Sequence, residues 1–263
     1  MEYNMEQVSE LTEPFDWMMF LDLKTFSSVI SNAQGEFKKL LDNAEFALSR
    51  NPKSMEIEVM VIVLHVMSKM GVYDHSLVGK ILDMLFELEG HFIPLFLDAL
   101  VRDDDISEAD SKAVEYFLTI GSTKRYRLGD GRQVRFVDVP FMNSTLAGIT
   151  LRSGRPSALR TFLRFGADPS VALESLAVTG LTTDPRRLSV KRKRALDILA
   201  SAAPQLPLSL ASLLPTPPGP LSLKHSCKVV VRRCLAEAGY LPLGIPTLRV
   251  PSDLHRYLDL DVF

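Results

Sequence analysis

The sequence predicts a mostly α-helical chain in which helical pairs stack as repeats, one small β-hairpin is inserted, and a separate helical element follows. Three observations carry this reading. Apolar residues recur at helical spacing, with Gly or Pro at the breaks. A short pattern returns several times at an interval near 33 residues. Near the C-terminus, one helix carries a continuous apolar stripe with little chain after it to cover it.

The 263 residues suffice for one large domain or a domain with a small appendage. Lys plus Arg number 30 and Asp plus Glu 32, a net charge of -2 that favours neither nucleic acid nor an anionic membrane. The polar, acidic start reads as no secretory signal. The most apolar run, residues 59–67, is interrupted by His65 and falls short of the roughly 20 residues that cross a bilayer. The two cysteines, Cys227 and Cys234, stand about two turns apart on one helix face. That is too far for a disulfide and points to a reducing compartment, the cytosol or nucleus.

In chain order, residues 36–50 place Phe37, Leu40, Leu41, Ala44 and Leu48 on one helical stripe. The run 59–67, apolar all round, reads as a buried helix. Asp103, Asp104 and Asp105 read as an exposed loop and helix cap, lacking the alternating ligands and Gly of a calcium loop. From residue 125 to 140 the texture turns to strand, with Tyr126, Leu128, Val134, Phe136 and Val137 flanking a turn at Gly129, Asp130 and Gly131.

Residues 114–122 (VEYFLTIGS) echo residues 159–167 (LRTFLRFGA), and looser copies lie at 84–90 and 196–202. With Leu85, Leu118, Leu163 and Leu199 as equivalents, the intervals are 33, 45 and 36. The long interval holds the expected hairpin, an insertion of about twelve residues in the repeat. Residues 145–169 resemble an ankyrin repeat: Thr145 opens a helix, Gly154 falls in the turn, Leu159 and Leu163 line the second helix, and Gly166-Ala167-Asp168-Pro169 closes it. Thr145-Leu146-Ala147-Gly148 stands where such repeats usually read Thr-Pro-Leu-His. The run Lys191-Arg192-Lys193-Arg194 reads as a solvated helix start, with a nuclear import signal as the rival. Six prolines between residues 203 and 220 forbid a long helix and make a stiff connector, with room for one helical turn at 208–213.

Ser222 is a good helix cap, and Leu223, Cys227, Val230, Cys234 and Ala238 follow as one apolar stripe, with Lys228 and Arg232 pointing elsewhere. Such a stripe needs a partner groove. The segment SLKHSCKVVVRRCL, residues 222–235, resembles the part of the SOCS box that binds Elongin C. Residues 248–258 (LRVPSDLHRYL) are similar to its cullin-selecting half, with Arg249 where a Pro is expected. The resemblances together imply an ankyrin-repeat-and-SOCS-box protein. The implied divisions are a helical, ankyrin-type domain over 1–202, a connector over 203–220 and a three-helix SOCS box over 221–263.

By that resemblance, Ser222, Leu223, Cys227, Val230, Val231 and Cys234 contact Elongin C, and Leu248, Val250, Pro251, Leu254, Tyr257 and Leu258 contact the cullin. The implied role is an adaptor of a ubiquitin ligase that joins Elongin B/C, Cullin 5 with its RING partner, and a protein substrate. No cofactor, metal or catalytic residue is expected. His225 projects away from the cysteines, no oriented base faces them, and their spacing is not that of zinc ligands. The rival is an interaction scaffold whose terminal helices only cap the stack.

Overall fold

The computed structural model describes residues 53–72, 74–101, 108–178, 189–204 and 222–261. The chain divides into two compact units, Met1–Glu58 and Val59–Phe263. Only the start of the first described helix belongs to the former; every later element belongs to the latter. The expected helix at 36–50, the Asp103–105 loop and nearly all of the connector lie outside the described residues.

The described chain is helical with one two-stranded sheet. Helices α1 (Lys53–Met70) and α2 (His75–Glu89) are joined by a short turn, where the Asp74 carboxylate accepts the Ser76 and Leu77 amides to cap α2. A 3-10 turn (Ile93–Phe96) leads into α3 (Leu97–Val101), and α4 spans Glu108–Gly121. Strands β1 (Arg125–Arg127) and β2 (Gln133–Arg135) follow, then α5 (Leu146–Ser153), α6 (Pro156–Arg164), α7 (Pro169–Val178) and α8 (Val190–Ala202). The chain closes with α9 (Leu223–Glu237), a 3-10 turn (Ile245–Thr247) and α10 (Ser252–Leu258).

The helices stack in two rows. In one, α3 packs on α5 and α5 on α7; in the other, α2 packs on α4, α4 on α6 and α6 on α8. Leu85, Leu118, Leu163 and Leu199 sit on the four successive helices of the second row, each at most 1 % exposed. The sequence echo therefore marks buried positions on packed helices. Thr145 caps α5 by accepting the Gly148 amide, and Gly154 ends it at φ +68. A Cβ at Gly154 would lie 2.7 Å from the Arg192 side chain, so a larger residue there would have to push that side chain aside as well as strain the positive φ. Ser189 caps α8, whose first turn holds the Lys191–Arg194 run; Lys191 and Arg194 are exposed and Arg192 is half-buried over Gly154.

The hairpin pairs Arg125 with Arg135, Tyr126 with Val134 and Arg127 with Gln133, and it occupies the long interval between α4 and α5. Its second strand is shorter than the sequence suggests. Phe136 and Val137 do not continue the strand but enter a 3-10 turn (Phe136–Asp138). Burial decides this: Phe136 is the centre of an aromatic cluster with Phe92, Phe96 and Tyr126, ring centroids 4.4–6.3 Å apart. The run 59–67 is helical within α1, where Met60, Val63, Leu64 and Met67 are buried. Among the described residues no helix is long and apolar enough to cross a membrane, and no cluster of His, Cys, Asp or Glu could hold a metal ion.

Candidate functional site: a two-faced C-terminal helix

Ser222 accepts the His225 amide at 3.2 Å and starts α9, whose two faces meet different surroundings. On the outer face Leu223 is 80 % exposed and Val230 58 %, and Ser222, Cys227 and Cys234 are exposed with them. Four apolar or weakly polar side chains thus form one uncovered strip on an ordered helix. His225 turns away from it, its Nε2 lying 2.8 Å from the Ala203 carbonyl and tying the helix start to the end of α8.

The inner face is fixed to the repeat stack. Lys228, Arg232 and Ala236 are buried at four-residue spacing. Ala236 seats against Gly166, where a Cβ would come within 3.0 Å of the Ala236 Cβ. The Arg232 guanidinium donates to two backbone carbonyls, Leu258 at the end of α10 and Leu163 at the end of α6. Both carbonyls lie at a helix C-terminus, where the peptide dipoles favour a cation, and the Leu163 carbonyl also accepts the Gly166 amide at 2.9 Å. Burial lowers the Arg232 pKa to about 10, and the group remains a cation at neutral pH. A second arginine crosses the same seam: Arg164 donates to both Asp259 carboxylate oxygens, at 3.1 and 2.8 Å. Arg125 of the hairpin adds a 2.7 Å bond to the Glu237 carbonyl.

Beyond α9, Ala236, Leu241, Ile245 and Leu258 form a small core, with Val231, Leu235, Leu248 and Val250 packed against it. The middle of this region is a 3-10 turn rather than a third α-helix, because Pro242 and Pro246 have no backbone N–H to donate. Of the residues the resemblance assigns to partners, Val231, Leu248, Val250 and Leu258 line this internal core. Ser222, Leu223, Cys227, Val230, Cys234 and Pro251 are exposed, and Leu254 and Tyr257 are half-buried. His255 Nε2 lies 3.0 Å from the Leu248 carbonyl and holds the extended segment to α10, while Arg249 is exposed. Sequence reasoning missed that the side of α9 away from the stripe is a buried seam. The signal was the spacing of Lys228, Arg232 and Ala236, which put two cations in line with a small residue.

The family description of the SOCS box matches residues 219–259, so this two-faced helix and its short partner helix are a SOCS box at the C-terminal end of the chain. No ankyrin-repeat match accompanies it. No curated protein matches the chain. No solved structure matches it either.

Proposed function

We propose that the chain is a substrate-recruiting adaptor of a cullin-RING ubiquitin ligase. One observation carries this: inside the matched SOCS box, α9 leaves the strip of Leu223, Cys227, Val230 and Cys234 open while its reverse face is locked to the stack. A helix presenting spaced anchors suits a groove on Elongin C. In this reading Leu223 is the principal anchor, Cys227 a small apolar contact and Ser222 the cap that sets the helix start. Val231 supports the helix from the internal core.

The segment from Leu248 to Leu258 faces Cullin 5, with Pro251, Leu254 and Tyr257 as contacts and Leu248, Val250 and Leu258 as the packing that holds them. The helical stack, a divergent ankyrin-type array over 1–202, holds the protein substrate, and 203–220 connects it to the box at 221–263. The chain performs no chemistry of its own; ubiquitin transfer belongs to the RING partner and the E2.

The rival scaffold reading draws on the seam itself, since Arg232, Arg164 and Ala236 fix the terminal helices to the stack as a cap would be fixed. A cap needs only the inner face of α9. The open outer strip favours the adaptor. Co-expression of the full chain with Elongin B and Elongin C separates the two: the adaptor elutes as one complex with both, and a scaffold elutes without them.

A further inference from the structure

Strand β2 has one paired edge and one open edge. Antiparallel neighbours alternate between residue pairs that exchange hydrogen bonds and pairs that do not. The Leu128 amide donates to the Arg132 carbonyl at 2.9 Å, and the Phe136 amide to the Lys124 carbonyl at 3.3 Å. By that alternation Tyr126 and Val134, midway between, bond across the hairpin, and the N–H and C=O groups of Gln133 and Arg135 point outward. Among the described residues nothing hydrogen-bonds to these outward groups. All of β2 lines an open groove of about 920 Å³, to which β1 contributes Arg125 alone. The far walls are the start of α7, at Ser170 and Val171, and α9, at Val229 and Arg233. An open strand edge beside a groove is a template for an extended backbone. The two faces of the hairpin decide which side chains suit it. Tyr126 and Val134 share the face turned to the core, where Tyr126 is buried. Arg125, Arg127, Gln133 and Arg135 share the other face, with Arg125 directly opposite Arg135. Arg135 holds the Asp138 carboxylate at 2.6 Å; among the described residues Arg125 and Arg127 have no carboxylate partner.

We propose that β2 recognises the protein substrate by strand addition: an extended segment of the substrate pairs antiparallel with its open edge, apolar beside Val134 and acidic beside Gln133 and Arg135. This names the substrate site of the adaptor reading and rests on that reading. The outward backbone groups of Gln133 and Arg135 supply the pairing, and the arginine face supplies the charge complement. A second copy of the chain is the poorer occupant, because pairing edge to edge would merge two arginine faces. The strip given to Elongin C lies on another side of α9 from the groove, so both can be filled at once.

The test selects binders from a displayed library of random heptapeptides on the full chain, alone and in complex with Elongin B/C. The recovered peptides are expected to alternate apolar and acidic residues and to slow hydrogen exchange at the Gln133 and Arg135 amides. Gln133→Pro removes one outward donor and leaves the bonds to β1 in place. It should weaken those peptides by about tenfold or more, with the Val134 amide still protected and Elongin B/C capture unchanged. Arg127→Glu reverses a charge on the exposed face and should weaken them by about fivefold at low salt and less at high salt. Peptides that bind both variants as tightly as wild type, peptides that protect another surface, or a library that yields no binder overturn the inference. A chain that self-associates with its β2 edge protected in the absence of peptide overturns the choice of occupant. A chain that takes the peptides on β2 but captures no Elongin B/C upholds strand addition and overturns the adaptor reading.

Discussion

Replacing Leu223 and Cys227 together by alanine is expected to abolish Elongin C capture while leaving the chain folded. Leu223 is 80 % exposed and Cys227 is exposed, so neither contributes appreciably to the packing of the free protein. Exposed substitutions of this kind usually change stability by no more than about 0.5 kcal/mol. On a partner the same side chains become anchors. Burying a leucine is worth about 1.5–3 kcal/mol, and truncating a central anchor can cost about 4 kcal/mol. A combined loss of about 3–5 kcal/mol is a weakening on the order of a hundred- to several-thousandfold. Calorimetric titration of the variant with Elongin B/C, beside its thermal melt, checks both halves. An unchanged melt with undiminished capture would move the Elongin contact off this strip.

The second large effect is expected on the opposite face of the same helix. Arg232→Met should lower the melting temperature while leaving Elongin C capture within about twofold of wild type, since the strip faces away from the seam. The methionine fills most of the volume but donates nothing, so the carbonyls of Leu163 and Leu258 lose their shared donor. The Leu163 carbonyl keeps the Gly166 amide, whereas the Leu258 carbonyl loses the one donor it has among the described residues, and a buried acceptor left unpaired costs about 1–3 kcal/mol. The charge that no longer has to be desolvated offsets part of this. A net loss of about 1–2 kcal/mol corresponds to a fall of about 2–8 °C in a chain of this size. Hydrogen exchange should quicken in α10 and at the end of α6, because both helix ends lose their cation. A melt within a degree of wild type would mean that the box is held by Ala236 and Arg164 without it.

These two faces were unequally legible in the sequence. The outer strip could be read because it depends only on local periodicity: the Ser222 cap, then Leu223, Cys227, Val230 and Cys234 at three- and four-residue steps. The helical core positions were legible for the same reason, since Leu85, Leu118, Leu163 and Leu199 recur in like local contexts and all are buried on packed helices. The hairpin followed from Gly129-Asp130-Gly131 between strand-forming residues. The seam was not legible. Arg232 meets a carbonyl 69 positions away and Arg164 a carboxylate 95 positions away, and no pattern within one helix encodes either pairing. Phe136 failed in the same way: its local sequence suits a strand, and its long-range contacts with Phe92 and Phe96 decide that it becomes a core plug. The box was read as three helices, and its middle is a 3-10 turn beside Pro242 and Pro246, which lack a backbone donor.

The central claim, that the open strip of α9 is the Elongin C site, is tested most directly by the alkylation rates of its two thiols. Cys227 and Cys234 are both free and exposed. In the chain alone, both should react readily with a small alkylating reagent, since access is the first requirement for thiol reactivity. In the complex with Elongin B/C, Cys227 lies beside the Leu223 anchor and should slow by more than about tenfold, as expected of a side chain excluded from water at the centre of an interface. A chain that co-purifies with Elongin B/C while Cys227 labels at its free rate would place the contact elsewhere and contradict the account.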